Sequence, residues 1–388
     1  MRPIFRMSWG FIPRLAALYA ALFLLFGIQM PFFPVWLQAK NVDAKLIGII
    51  LAVATVARVL AIPLTREADR RDAVRDALVI ASLASVAGYV LVGLSGGVTA
   101  ILITYTLTAL FSTPLMPLAE TYALNGLLAR GRAYGPVRLW GSLAFIAGNF
   151  AAGFAADEIP ARHLIWLMVA ASGLIAIAAW QLAPVAGNPP QQKTETPQRH
   201  GPLWDHAFVA VLAGASLIQA SHALVYGFSA VQWHDAGLDG TFIAALWALG
   251  VAAEIALFAV QGRLPPVLTP TAMLMVGALA GTLRWLGMAL DPPALALPLL
   301  QILHALSFGA THLGALMFLA HHAPVGQAAT AQGYLAIAAG LAMAAATAIS
   351  GLLYADFGSG AYIAMALVAV AGGACGFVAH RIRRESAR

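Results

Sequence analysis

Glu120, Arg138, Arg58, Glu254, Arg284 and His304 all stand inside long apolar runs of this chain. The stretch "LTALFSTPLMPLAETYAL", residues 107–124, shows the pattern: apolar side chains and two prolines lead straight into Glu120. A carboxylate or guanidinium placed in hydrocarbon is costly, and it is kept when it is paired or when it handles protons, ions or polar solutes. Glu and His exchange protons. Arg holds carboxylates and hydroxyls through its planar fork of donors. The chemistry these residue types offer is reversible binding coupled to protonation, with no covalent step.

Spacing suggests which of them meet. Glu120 and Arg138 flank the turn at Gly131. At 1.5 Å rise per residue their depths on adjacent antiparallel helices differ by roughly 6 Å, which makes Arg138 the expected counter-ion of Glu120. Arg284 and His304 flank the connection at Pro293 at matching depth. Glu254 lies roughly 13 Å before Arg263 along its helix and has two candidate partners, Arg284 and Arg58. The alternative reading, ion pairs that only lock helices together, explains the set poorly, because packed apolar residues do that at least as well. The charges are therefore expected to converge on a solvent-accessible polar cavity. His222 and His312 are read as hydrogen-bonded histidines between helices. His304 and His312 are roughly 12 Å apart along one helix, too far to share an ion, so no metal is expected. No phosphate loop or activated nucleophile is present in the sequence, and the chain is not read as an enzyme.

The elements that must position these groups are membrane helices. Of the 388 residues, 61% are hydrophobic and 10% charged, and the mean hydropathy is +0.82. Soluble domains carry about 25% charged residues, so this chain cannot cover a water-facing surface. Twelve segments of spanning length are predicted, at roughly 14–38, 45–65, 75–95, 98–127, 135–156, 163–184, 206–228, 240–262, 271–290, 295–320, 331–354 and 360–380. The first, preceded by Arg2, Arg6 and Arg14, is too long for a signal-peptide core and is read as a retained helix. Lys and Arg concentrate in alternate connections, and Lys40, Lys45 and Arg162 fall on the other side. Both termini are thereby expected in the cytoplasm. The net charge of +6 follows that topology and does not call for nucleic acid. The lone Cys375 forms no internal disulfide.

A polar stretch, "VAGNPPQQKTETPQRHGP", separates two six-helix halves: residues 1–184, a cytoplasmic linker over 185–205, and residues 206–388 with a short tail. The halves look like repeats. Shifted onto the second half, Asp43 falls on Asp239, Gly135 on Gly333 and Gly153 on Gly351. Twin bundles with a midplane site are a transporter architecture. Small-residue spacings such as Gly148/Ala152 and Gly372/Gly376 suit close helix packing.

Three stretches, "PLMPLAETYAL", "YGPVRLWGSLAFI" and "LLQILHALSFGATHLGALMFL", resemble the major facilitator superfamily. Within it they resemble the phenylpropionate permease family, relatives of lactose-permease-type proton symporters. The resemblance implies an all-α membrane fold of twelve helices in two pseudo-symmetric bundles. It implies substrate binding by Glu120 and Arg138, and proton coupling by Glu254, Arg284 and His304. Two departures stand out. The second acid that sugar symporters carry one turn after the helix-ten histidine is Ser307 here. The loop "READRRDAVR" keeps Asp69, Arg70 and Arg71 of the family's conformational latch but loses its glycines.

The expected function is proton-coupled symport of a small organic solute by alternating access, with Glu254 the first choice of proton carrier and Glu120 the second. Two acids against three arginines leave surplus positive charge, which suits an aromatic or other organic acid such as phenylpropionate. Arg58 joins the substrate-binding set, and Trp140, Phe145, Trp36 and Trp247 are candidate aromatic walls. A neutral sugar or nucleoside, drug or metabolite efflux, and a non-transporting membrane enzyme or sensor are the alternatives. The expected partners are the solute, protons and the lipid bilayer, with no cofactor beyond the proton gradient. The expected setting is a bacterial inner membrane, with the protein acting as a monomer.

Overall fold

The computed structural model describes residues 10–60, 67, 71, 73–132, 134–183, 203–324 and 327–386. Asp69, Arg70, the side chain of Arg58 and most of the predicted linker lie outside the described residues. The helices in chain order are α1 (Phe11–Ala39), α2 (Ala44–Leu60), α3 (Val74–Leu94), α4 (Val98–Ser112), α5 (Leu115–Leu128), α6 (Gly135–Glu158), α7 (Ile165–Trp180), α8 (His206–Ala220), α9 (Ala223–Asp235), α10 (Gly240–Val260), α11 (Pro270–Ala289), α12 (Leu297–Ile302), α13 (Thr311–His322), α14 (Ala328–Phe357) and α15 (Tyr362–Ser386). Ten stretches of the described residues are long and apolar enough to cross a membrane. One of them, Thr330–Glu385, is 56 residues long and holds both α14 and α15, separated by the 3-10 turn Gly358–Ala361. The predicted second span is a shorter apolar helix, Ala44–Ala57, and its predicted continuation to residue 65 passes into undescribed chain.

Local signals explain where helices start and break. Asp43 and Asp239, the pair matched by the repeat, do the same job: Asp43 Oδ1 accepts from Leu46 N at 2.9 Å and Asp239 Oδ1 from Phe242 N at 2.6 Å, capping α2 and α10. Asp205 caps α8 in the same way, through Phe208 N. The predicted fourth span is interrupted at Thr113–Pro114, where proline has no N–H to continue the ladder. Outward faces are apolar. On α3, Ile80, Leu83, Leu91 and Leu94 are exposed, whereas Ser82, Ser85 and Tyr89 are buried. That arrangement suits a surrounding solvent of lipid.

The chain divides into two compact units. One comprises Met1–Val42, Val56–Gln192 and Asp239–Ala245, and the other Asp43–Thr55, Lys193–Leu238 and Leu246–Arg388. In the first, α1 lies against α6 so closely that a Cβ at Gly148 would sit 2.4 Å from the Leu24 carbonyl oxygen. Asp157 accepts from the backbone N–H groups of Gly240 and Thr241, which ties the start of α10 into this unit. In the second, α8 and α15 cross at Gly214 and Gly372. With no hydrophobic drive between helices in lipid, such small-residue crossings are where packing is won. Arg75 donates to the Leu182 carbonyl at 2.7 Å, fastening α3 beyond the C-terminus of α7. Arg71 pairs with Glu67 at 2.5 Å.

A contrast between two glycines tests this packing. An added Cβ at Gly372 would meet the Gly214 carbonyl oxygen at 2.8 Å and Ile218 N at 3.0 Å, whereas Gly333 has nothing within 4 Å. Gly372→Ala is expected to destabilise by about 1–3 kcal/mol. Gly333→Ala, in an open helix interior, is expected to be neutral or to stabilise by up to about 1 kcal/mol. Thermal unfolding of the detergent-purified variants checks both.

Candidate functional site

The second unit gathers Glu254, Arg284 and His304: depth matched Arg284 with His304, and Glu254, whose partner the sequence left open, joins them through His304. Glu254 comes from α10, Arg284 from α11, and His304 from the turn after α12. Gly309 packs closely on α10, where an added Cβ would stand 3.3 Å from the Glu254 Cγ, and Gly250 faces His304 with room for ordinary contact. Residues Ala305–Ala310, immediately after His304, form a π-helical turn. Such turns insert a residue into a helix and recur at functional sites. The chain also breaks at Ser221–His222, between α8 and α9, and this break delivers His222 to the same cluster.

Arg284 is 2% exposed. Its Nη1 donates to His304 Nδ1 at 3.1 Å and its Nη2 to Gln301 Oε1 at 2.7 Å. The guanidinium also lies 4.7 Å from the Trp285 ring. Among the described residues its hydrogen-bonding partners are neutral groups, and its Nε has no acceptor. Glu254 does not take Arg284. Its Oε2 stands 3.5 Å from His304 Nε2. Guanidinium groups only donate, so His304 Nδ1 must accept, and the ring hydrogen sits on Nε2 facing the carboxylate. The arrangement is a row, Gln301–Arg284–His304–Glu254, in which the imidazole separates the cation from the carboxylate.

Around this row lies a ring of aromatic and hydroxyl groups. His222 Nδ1 is within reach of the Ile218 and Gln219 carbonyls at 3.1 and 3.2 Å, so it carries the hydrogen and donates. His222 Nε2 then accepts from Ser307 Oγ at 3.0 Å. Both nitrogens are engaged, as expected of a histidine that joins helices. Ser307, which fills the place of the sugar symporters' second acid, is spent on that bond. Trp285 donates to Ser221 Oγ at 2.9 Å and stacks on Tyr362 with centroids 5.9 Å apart. Phe308 stacks on His304 at 5.2 Å, and His312 stacks on Phe308 at 6.1 Å. The Gln301 Nε2, Tyr362 Oη and Trp247 Nε1 atoms are buried without hydrogen-bond partners among the described residues. Gln301, Trp285 and Tyr362 were not singled out from sequence. Gln301 had a readable signal, one turn before His304 on the same helix face.

The first unit holds Glu120 and Arg138, and the expected direct pairing is not observed. Arg138 lies over the Phe23 ring with its Cζ 4.0 Å from the centroid, and no Glu120 contact appears among the ion pairs of the described residues. The two remain within electrostatic reach. A guanidinium settled on an aromatic face is a favourable alternative to a carboxylate partner. Beside them the Tyr19 and Tyr134 hydroxyls meet at 3.2 Å. Deeper in the unit, Gln29 donates to Tyr105 Oη at 2.7 Å and accepts from Tyr89 Oη at 2.8 Å. Trp140 is 56% exposed, Phe145 is buried, and Trp36 is sealed in the core with its N–H on the Arg162 carbonyl. Among the described residues no three His, Cys, Asp or Glu side chains gather to hold a metal ion.

A family model described as the MFS_1 like family matches residues 12–364. The chain is 30% identical over 363 residues to a probable 3-phenylpropionic acid transporter of Escherichia coli (strain K12), covering 92% of this chain and 94% of that one. It is 26% identical over 354 residues to a maltose permease of Geobacillus stearothermophilus, covering 89% of each. The crystal structure of the nucleoside transporter NupG superposes with a TM-score of 0.81 over 96% of this chain and 99% of that one, at 15% identity.

The Gln301 contact is directly testable. Gln301→Leu removes an acceptor from a buried cation, and hydrogen bonds to charged groups contribute about 1.5–3 kcal/mol. The variant is expected to lose stability in that range. An unchanged unfolding temperature would mean that Arg284 does not depend on this amide.

Proposed function

The chain belongs to the MFS_1-like family of major facilitator transporters, and on that premise we propose that it is a proton-coupled symporter of a small organic acid, working by alternating access. The observation that carries the substrate class is Arg284, a buried guanidinium whose described hydrogen-bonding partners are neutral and whose Nε has no acceptor. A buried charge without a counter-ion is a strong attractor for one. A carboxylate meets a guanidinium through two parallel hydrogen bonds. Trp285, Tyr362 and Phe308 close by supply apolar and aromatic surface for the body of such an acid. The similarity to a probable 3-phenylpropionic acid transporter supports the same class.

In this reading Glu254, Arg284 and His304 couple proton and substrate. Glu120, Arg138 and Arg58 of the other half contribute to solute binding, and Asp69, Arg70 and Arg71 serve as a conformational latch. The two halves, joined by the 185–205 segment with both termini cytoplasmic, are the moving parts, in a bacterial inner membrane. A second reading, symport of a neutral sugar or nucleoside, draws on the maltose permease similarity, since buried amides and carboxylates also bind hydroxyls.

Uptake of labelled 3-phenylpropionate, maltose and a nucleoside into cells expressing the protein separates these readings. Phenylpropionate uptake that a protonophore abolishes is the expected result. Protonophore-sensitive uptake of maltose or the nucleoside, with none of the acid, would replace the acid by a neutral solute. Resistance to a toxic compound without uptake of any of the three would replace import by efflux.

A further inference from the structure

The hydrogen-bond polarity of the Gln301–Arg284–His304–Glu254 row allows the coupling to be assigned to one atom. Arg284 Nη1 lies 3.1 Å from His304 Nδ1. An arginine has donors only and stays protonated, so Nδ1 holds its lone pair toward the guanidinium. A proton on Nδ1 would set N–H against N–H at that distance, with a second positive charge beside the first. Contact with Arg284 and protonation of Nδ1 therefore exclude one another.

We propose that the substrate's carboxylate docks on Arg284 by displacing His304, and that the released Nδ1 is the seat of the transported proton. The proposal rests on the organic-acid symport reading above and deepens it. A guanidinium carries five N–H groups, and among the described residues Arg284 Nε and the adjacent Gln301 Nε2 have no acceptor, so the cluster has donors to spare for an anion. When the carboxylate takes Nη1, the imidazole loses its donor and its lone pair is free. The proton comes from water. The resulting imidazolium stands between the Glu254 carboxylate, on its Nε2 side, and the newly bound anion. Among the described residues whose rings meet the His304 ring, none competes for this role. His222, 5.6 Å away ring to ring, has both nitrogens engaged, and Tyr226 and Phe308 present rings.

The charge arithmetic follows. Loading one carboxylate and one proton leaves the charge of the cluster unchanged, so a buried site need never carry an extra charge through the bilayer. Anion and proton also bind cooperatively, each raising the affinity for the other by the same factor, as linkage requires. Neither Glu254 nor Glu120 need be the proton carrier. Glu254 acts as a positioning group that orients the imidazole.

Binding of 3-phenylpropionate to the detergent-purified full-length protein, followed by calorimetry between pH 6 and pH 8.5 with proton uptake read by an indicator in weak buffer, tests this. The acid itself stays ionised across that range. Wild-type protein is expected to take up about one proton per anion, and its affinity to fall about tenfold per pH unit in the alkaline part of the range. His304→Asn keeps an acceptor for Arg284 at the Nδ1 position but cannot be protonated. It is expected to bind the anion with no pH dependence and no proton uptake. Gln301→Glu places a carboxylate on Arg284 from within and is expected to weaken anion binding at least tenfold. Proton uptake that persists in His304→Asn, or that disappears only in Glu254→Gln, overturns the assignment while leaving acid symport standing. A wild-type protein that binds no carboxylate overturns both.

Discussion

Arg284 sets the terms for the second half of this molecule. A guanidinium that is 2% exposed must be satisfied by what surrounds it, and what surrounds it is an amide oxygen and an imidazole nitrogen. Neither cancels its charge. An isolated structural salt bridge would have placed a carboxylate there, and Glu254 is near enough to the cluster to have served. Instead the carboxylate is held one residue further along the row, beyond His304. The cation is thus near an acid without being neutralised by direct contact, a geometry that suits reversible capture of an external anion.

The rest of the unit can be understood as support for that arrangement. Gly309, in the π-helical turn after His304, lets that turn lie close against Leu257 and Glu254 of α10. The break at Ser221–His222 provides a serine for Trp285 and an imidazole for Ser307, so Trp285 and His222 are hydrogen-bonded into place. Buried polar networks are demanding because each unmet group is costly. In this one most groups are met, and those left over, Arg284 Nε, Gln301 Nε2, Tyr362 Oη and Trp247 Nε1, can all donate. The spare N–H groups of Arg284 and Gln301 suit an oxygen-rich, electron-rich ligand.

Much of this was legible in the amino-acid sequence, for identifiable reasons. The helical membrane fold follows from apolar runs whose length is set by the bilayer. The Arg284–His304 contact followed from depth alone, because antiparallel neighbours joined by a short connection share a ruler of 1.5 Å per residue. The Asp43–Asp239 match, one of many coincidences in so restricted a composition, acquires meaning when both are seen capping helices. Depth placed Glu120 and Arg138 within electrostatic reach of one another, but it says nothing about rotation around each helix, and the Arg138 guanidinium lies on Phe23. Gln301 and Tyr362 carry little signal in the sequence because they are uncharged, although the Gln301 bond to Arg284 is what shows the cation held by a neutral group. The direction of the His304 hydrogen bond cannot be read from residue order at all. It depends on which ring nitrogen meets the guanidinium.

The central claim is that one carboxylate and one proton travel together and leave the charge of the site unchanged. Purified protein in sealed liposomes, with pH gradient and membrane potential imposed separately, tests it most directly. The account predicts that an inward proton gradient at zero potential drives uptake of labelled 3-phenylpropionate well beyond the leak into empty liposomes, and that a potential of either sign at equal pH drives none. Uptake that follows the potential, or that ignores the proton gradient, would contradict it.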